Sequence, residues 1–226
     1  MRRILTGLAP FLLIAVASAQ SQAPPGPQTW EPAIKKFEES DRQHPPEKGG
    51  VLFVGSSSIR IWESLAEDFP DVKVLNRGFG GSAIQDSTYF AGRIIVPYRP
   101  KMIVFYAGDN DLAQGLSPDR VSDDFKAFVG RVRKDLPAVR IAFISIKPSP
   151  ARWSLVKQMQ SANEKIRTYI ETEKGLVYID VFGPMLRRDG EVRKELFGQD
   201  GLHMNGAGYR LWTSIVRPYL KMKDAP

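Results

Sequence analysis

Short apolar runs alternate with segments of helical periodicity along most of this chain, and this alternation restricts the fold more than any other feature. Five runs have the length and composition of strands, at residues 51–54, 72–75, 102–107, 139–146 and 176–181. Continuous apolar strands are typical of a sheet that is buried on both faces. The sequence therefore predicts helices packed on both sides of one sheet.

The intervening segments have apolar residues at helical spacing. They predict helices at residues 30–42, 59–69, 83–93, 117–136, 154–174 and 206–221. Ser117 is the predicted N-cap of the helix that ends at residue 136, and Asn205 that of the helix at 206–221. Strands separated by helices form βαβ units with parallel pairing. We therefore predict a three-layer α/β/α sandwich whose five-stranded parallel sheet has the flavodoxin-like order 2-1-3-4-5.

The N-terminus has the pattern of a secretory signal. A charged start at Arg2 and Arg3 precedes an apolar stretch and an Ala-Ser-Ala cleavage site, so residues 1–19 are predicted to be a signal peptide. Residues 20–28 are predicted to be a Pro-rich linker, and residues 29–226 a single domain. We expect an exported protein, periplasmic or secreted, with no integral membrane span after signal removal.

Composition excludes several other classes of protein. The chain has no cysteine, which excludes disulfides and thiolate metal sites, and we predict neither a metal nor a cofactor. The net charge of +7 is scattered among acids instead of forming a basic run with aromatics, so we expect no nucleic-acid partner. The sequence does not indicate an oligomeric state.

Polar motifs follow the predicted strands where each strand ends. Residues 55–58 (Gly-Ser-Ser-Ser) follow the first strand, residues 76–82 (Asn-Arg-Gly-Phe-Gly-Gly-Ser) the second and residues 108–111 (Gly-Asp-Asn-Asp) the third, while residues 200–203 (Asp-Gly-Leu-His) precede the last helix. Each motif alone has a purely structural interpretation as a turn, a cap or, for residues 108–111, a cation-binding loop. Their common position at one edge of the sheet favours a shared site.

Together these motifs meet the requirements of acyl transfer. Ser57 is a candidate nucleophile, and His203 is its candidate base because the only other histidine, His44, lies beside two prolines. Asp200 can orient the imidazole. The backbone N–H groups of Ser57 and Gly81 and the side-chain amide of Asn110 are candidate donors to an oxyanion.

These four motifs, in this order, resemble the blocks of the SGNH/GDSL hydrolases, and most closely the branch with the platelet-activating-factor acetylhydrolase subunits and bacterial relatives. The resemblance spans residues 51–209 and implies a catalytic triad of Ser57, His203 and Asp200, with Ser57, Gly81 and Asn110 as the oxyanion hole. One departure is Ser56, where the family has aspartate. Ile59 separates the chain from the G-x-S-x-G pattern of the α/β-hydrolases.

Three further residues follow the fourth strand and are candidate substrate-binding groups. Lys147, Arg152 and Trp153 can bind a sugar or an anion, or can simply belong to a Pro-stiffened loop. We predict an exported esterase that acts through an acyl-serine intermediate on a small-molecule, carbohydrate or lipid ester, with short acyl groups preferred. The alternatives are an envelope polysaccharide O-acyltransferase and a carbohydrate-binding protein on the same fold.

Overall fold

Five parallel strands form the centre of the protein, whose computed structural model describes residues 26–221. The strands are β1 (Val51–Gly55), β2 (Val74–Gly78), β3 (Met102–Tyr106), β4 (Arg140–Ile144) and β5 (Leu176–Ile179). The helices are α1 (Glu31–Gln43), α2 (Ser57–Arg60), α3 (Leu65–Asp68), α4 (Ile84–Ile94), α5 (Asp109–Ala113), α6 (Pro118–Asp135), α7 (Val156–Thr172) and α8 (Gly206–Leu220).

The strand order is β2-β1-β3-β4-β5, with every neighbouring pair parallel, so the predicted fold class is confirmed. Register pairs Val51 of β1 with Val74 on one side and Met102 on the other. The carboxyl ends of the strands consequently lie at one edge of the sheet. The polar motifs that follow β1, β2 and β3 are located at this edge.

Alternate residues of the strands enter two separate cores. Leu52 and Val54 of β1 pack with the face covered by α1, α4, α6 and α7, whereas Val51 and Phe53 pack with the face covered by α2, α3 and α8. All four side chains are at most 1% exposed. This double burial explains why the strands are continuous apolar runs instead of alternating ones.

The second strand lies further along the chain than predicted. Residues 72–75 were expected from their apolar character, but β2 extends from Val74 to Gly78 because its backbone pairs with β1 as far as Gly55. The strand includes Arg77, whose buried guanidinium pairs with Asp41 of α1 and lies 4.8 Å from the ring centre of Tyr98. A charged residue such as Arg77 is not expected in a strand predicted from apolar residues, but its ion pair with Asp41 allows it to be buried there.

The helix predicted at residues 59–69 is wrong. The structure has two single turns, α2 and α3, with an irregular segment between them that buries Trp62 in the core. The indole N–H of Trp62 donates to Asp68 Oδ2 at 2.6 Å, and Ser64 Oγ donates to the same oxygen at 2.7 Å. These side-chain bonds compete with helical continuation.

The two predicted N-caps are present. Ser117 accepts from Arg120 N at 3.2 Å, and Asn205 accepts from Ala207 N at 2.8 Å, so α6 and α8 begin where the sequence indicated. No helix within residues 26–221 is long and apolar enough to cross a membrane. The predicted signal peptide and most of the linker lie outside the described residues, while Pro27 begins a 3₁₀ turn that leads into α1.

Candidate active site

A chain of hydrogen bonds joins three of the predicted site residues. His203 Nε2 lies 3.0 Å from Ser57 Oγ, and His203 Nδ1 lies 2.6 Å from Asp200 Oδ2. The imidazole is one-third exposed. An imidazole held between a hydroxyl and a carboxylate has one nitrogen free to accept the hydroxyl proton, which is the requirement for an activated serine.

The turn after β1 determines where Ser57 lies. Gly55 has φ +138°, and a Cβ atom there would lie 1.8 Å from the Tyr106 carbonyl oxygen of β3. Only glycine fits so close an approach at that backbone angle. The chain then reverses into α2, whose first residue is Ser57, so the hydroxyl is presented at the edge of the sheet. The preceding Ser56 is fully buried and its hydroxyl has no partner among the described residues.

Asp200 is fixed by the turn that it begins. Its Oδ1 accepts from the backbone N–H groups of Leu202 at 2.9 Å and His203 at 3.0 Å, leaving Oδ2 for the imidazole. The bond from Leu202, followed by those from His203, lowers the pKa of Asp200 to about 2. The carboxylate is therefore ionised over the whole physiological range.

The three predicted oxyanion donors line one cleft together with the serine and the imidazole. This open cleft of about 730 Å³ includes Ser57, Gly81, Asn110 and His203 in its wall. Within residues 26–221 the backbone N–H groups of Ser57 and Gly81 donate to no other group. Gly81 has φ +80° and open space where a Cβ would lie, so a substrate can approach its backbone closely.

The side chain of Asn110 is held on both sides. Its Nδ2 donates to the Ser82 carbonyl oxygen at 3.0 Å, and its Oδ1 accepts from Arg152 Nη2 at 2.9 Å. Arg152 Nη1 donates to Asp109 Oδ2 at 2.9 Å. Asn110 is 8% exposed and lines the cleft, and its second Nδ2 hydrogen has no acceptor among the described residues.

The structure separates the three predicted substrate-binding residues. Arg152 lines the cleft. Lys147 is 1% exposed and lies 3.5 Å from Asp109 Oδ2, and burial lowers its pKa. Trp153 is half-buried and packs against the core beneath α8. Neither Lys147 nor Trp153 is part of the cleft wall. Lys147 is buried, and of the 3₁₀ segment 150–155 only Arg152 lines the cleft.

The N-terminal helix contributes a wall that the sequence did not indicate. Trp30, at the start of α1, donates its indole N–H to the Gly80 carbonyl oxygen at 2.8 Å, and Ala33, Lys36 and Phe37 line the cleft. Ion pairs of Arg93 with Glu31 (2.8 Å) and Glu38 (2.7 Å) hold α1 against α4. The helical period predicted α1 itself, but its position above the cleft depends on these distant partners.

Two other polar residues have positions that clarify their roles. Asp111 Oδ1 accepts from Ile84 N at 3.0 Å, so it fixes the first turn of α4, and burial raises its pKa to about 7. His44 lines a separate cleft at the amino ends of β1 and β2. His203 is therefore the histidine of the candidate active site.

Known proteins share both this sequence pattern and this fold. The family model described as GDSL-like lipase/acylhydrolase matches residues 51–211. Three solved structures are similar in fold. A candidate platelet activating factor from Streptococcus pneumonia has a TM-score of 0.75 and 20% identity, and the match covers 85% of this chain and 94% of that one. A GDSL-like lipase from Bacteroides thetaiotaomicron has a TM-score of 0.72 and 17% identity (83% of this chain and 97% of that one), and a carbohydrate esterase family 3 protein from Talaromyces cellulolyticus has a TM-score of 0.58 and 18% identity (76% and 96%).

No curated protein matches the sequence. At these identities the solved structures show a shared fold, whereas the family model extends from β1 into α8 and includes all four polar motifs. The chain therefore belongs to the GDSL-like lipase/acylhydrolase family.

Proposed function

We propose that the protein is a serine ester hydrolase with Ser57 as its nucleophile. The Ser57 oxygen attacks the ester carbonyl carbon while its proton passes to His203 Nε2, and Asp200 stabilises the resulting imidazolium. The C–O bond to the alcohol then breaks, and the alcohol leaves with the proton from His203. Water, deprotonated by His203, attacks the acyl-serine and releases the acid.

The observation that carries this proposal is the Ser57–His203–Asp200 hydrogen-bond chain in a cleft that also holds unsatisfied donors. The N–H groups of Ser57 and Gly81 and the amide of Asn110 are the donors to the tetrahedral oxyanion. Preorganised donors of this kind stabilise the charge that develops in the transition state.

Short acyl groups are the preferred substrates in this proposal. This preference rests on the sequence, which has no separate apolar segment to cover a long acyl chain. Trp30 and the α1 residues Ala33 and Phe37 line the same cleft as Ser57. The Talaromyces cellulolyticus neighbour is a carbohydrate esterase, which is compatible with a carbohydrate ester as substrate.

The charged and apolar pattern of residues 1–19 supports export to the periplasm or the medium, which N-terminal sequencing of the mature protein would test.

The first experiment compares hydrolysis of p-nitrophenyl acetate, butyrate and octanoate by the wild type and Ser57→Ala. Loss of turnover to background in the variant, with folding unchanged by circular dichroism, is the expected result because Ser57 supplies the hydroxyl that is hydrogen-bonded to His203 Nε2. Acetate should be turned over fastest.

Equal rates in the two proteins would contradict the proposal. If polysaccharide acceptors then received acyl groups in the presence of an ester donor, the protein would be an O-acyltransferase. Carbohydrate binding without turnover of any ester would identify a binding protein.

A further inference from the structure

The contacts of Arg152 extend beyond the cleft wall that it lines. Its guanidinium spans two residues of α5, with Nη1 on Asp109 Oδ2 and Nη2 on Asn110 Oδ1, each at 2.9 Å. The side chain is 18% exposed and Asp109 is 4% exposed, so the ion pair is largely removed from water. Such a charge-assisted, two-point contact fixes both partners in direction as well as distance.

The direction of the Asn110 amide decides whether it helps or opposes the reaction. A primary amide has a donor end and an acceptor end that are similar in size, and a rotation of half a turn exchanges them. With the nitrogen toward the oxyanion the amide stabilises the transition state, whereas the carbonyl oxygen in that place would repel it.

The two neighbours of this amide specify the same orientation. Arg152 has only donors, so the atom facing it must be the oxygen, and the Ser82 carbonyl is only an acceptor, so the atom facing it at 3.0 Å must be the nitrogen. The bond to Ser82 uses one amide hydrogen. The positive charge on Arg152 also withdraws electrons from the amide through its oxygen, which makes the remaining N–H a stronger donor.

The segment that presents Arg152 is itself anchored to the other half of the site. Residues 150–155 form a 3₁₀ segment in which Ala151 N donates to the Gly201 carbonyl oxygen at 3.0 Å. Gly201 lies between Asp200 and His203. One short segment thus contacts both the oxyanion donor and the turn that holds the base.

We propose that Arg152 is a positioning residue that holds the Asn110 amide with its nitrogen toward the oxyanion. This inference rests on the proposed esterase function and revises the earlier interpretation of Arg152 as a substrate-binding group. In this role Arg152 does not touch the substrate and acts through Asn110 alone.

A double-mutant cycle tests the proposal with p-nitrophenyl acetate, a neutral ester too small to need a cationic contact. In the wild-type background Arg152→Met should lower kcat by about tenfold, part of the roughly 10²–10³-fold loss expected when an oxyanion donor is removed. In the Asn110→Ala background the same substitution should change kcat by less than about twofold, because the group it acts on is gone. KM should stay near its wild-type value in both backgrounds.

Arg133 provides a matched control. It is 23% exposed, and it also bridges two acceptors, the Glu173 carboxylate and the Lys174 carbonyl, but on α6 and away from the cleft. Arg133→Met should lower thermal stability without changing kcat per folded molecule. An equal fall in kcat for Arg152→Met with and without Asn110 would overturn the proposal, as would an unchanged kcat with a raised KM, which would indicate substrate binding.

A conservative variant gives an independent reading if Arg152→Met fails to fold. A lysine ammonium can keep the ion pair with Asp109 but cannot span both partners as the planar guanidinium does. Arg152→Lys should therefore fold and still lose kcat only when Asn110 is present. If Ser57→Ala loses activity but the effect of the Arg152 variants does not depend on Asn110, the esterase function is supported and the positioning role of Arg152 is contradicted. If the wild type itself hydrolyses no ester, both proposals are contradicted.

Discussion

At the scale of single residues, the most unusual acid of the site region is Asp111. Its Oδ1 accepts from the first N–H of α4, but its Oδ2 is buried without a partner among the described residues. Desolvation therefore raises the pKa from the ordinary value of 3.8 to about 7. Below about pH 7 the neutral acid is therefore the predominant form in the folded protein.

This shift predicts a pH dependence of stability with a definite sign. Because the folded pKa lies above the unfolded one, the favourable contribution is complete below about pH 4 and is lost as the pH rises to about 7. Asp111→Asn, which stays neutral, should show a smaller decline in the free energy of unfolding over that range. Urea titrations at several pH values measure the slopes.

The quantity to compare is the change in the free energy of unfolding with pH. The absolute free energies are less informative, because the asparagine amide adds a buried donor that shifts stability equally at every pH. Asp123→Asn is the control: Asp123 is exposed beside Lys126, which lowers its pKa, so its removal should leave the slope between pH 4 and 7 unchanged. Parallel profiles for the wild type and Asp111→Asn would refute the assignment. Asp86, whose pKa burial raises to about 6, contributes to the remaining slope in both proteins.

At the scale of elements, the 3₁₀ turn that leads into α1 connects the cleft wall to the loop that carries Gly81. The bond from the Trp30 indole to Gly80 O holds the residue next to Gly81, whose N–H is a proposed oxyanion donor. The Trp30 ring also meets Phe79 edge-to-face, with 6.3 Å between ring centres. The wall of the cleft and the loop that carries this proposed donor are therefore coupled by one side chain.

Trp30→Phe separates the hydrogen bond from the packing. Phenylalanine retains the aromatic contact but has no N–H, so kcat for p-nitrophenyl acetate should fall several-fold while the midpoint of thermal unfolding changes little, since one hydrogen bond contributes about 1 kcal/mol. Trp30→Ala, which also removes the ring, should lower both quantities. A wild-type kcat in Trp30→Phe would show that the indole serves packing alone.

The elements also show which parts of the fold and site the sequence predicts well. The sheet and its strand order were predicted from the alternation of apolar strands with helices. The short polar motifs predicted that Ser57, Gly81, Asn110 and His203 lie at one edge of the sheet. Both patterns are recognisable because each consists of consecutive residues. The helix at 59–69 was wrong because side-chain bonds to Asp68 interrupt a helical period that composition alone supports.

The burial of Lys147 and the position of α1 beside the cleft could not be predicted, for a different reason. Lys147 follows a strand as Ser57, Gly81 and Asn110 do, but it is buried beside Asp109 and does not line the cleft. The location of α1 depends on Arg77 and Arg93, which lie far along the chain from their partners on α1. Pairings at such separation leave no periodic signal in a single sequence.

At the scale of the whole molecule, charge is distributed unevenly around the cleft. The chain carries a net charge of +7, and the described cleft wall contains Lys36, Arg60 and Arg152 but no carboxylate. Arg152 is paired with Asp109, whereas Lys36 and Arg60 form no ion pair with a described residue. The cleft is therefore expected to attract anions.

An anionic ester should consequently bind better than a neutral ester of equal size. We expect 4-acetoxybenzoate to have a lower KM than 4-acetoxybenzamide at low ionic strength. The difference should shrink as salt is added, because screening shortens to about 10 Å at 0.1 M. Steady-state kinetics at several salt concentrations measure it.

Neighbouring lysines of α1 give the control. Lys36→Gln should reduce the preference for the anionic ester, while Lys35→Gln, which removes the same charge from an exposed position outside the cleft wall, should not. Equal KM values for the two esters at all salt concentrations would contradict the electrostatic prediction and leave the esterase mechanism untouched.

The hydrogen bond between His203 and Ser57 joins residues 146 positions apart. During synthesis the serine leaves the ribosome long before its base, and α8, which anchors to α2 through the Tyr209 hydroxyl and the Ser58 carbonyl at 2.9 Å, follows later still. On the proposed mechanism, a nascent or truncated chain that ends before residue 203 contains the Ser57 turn but lacks the base that activates its hydroxyl. Esterase activity is therefore expected only after the C-terminal part of the domain has been synthesised and folded.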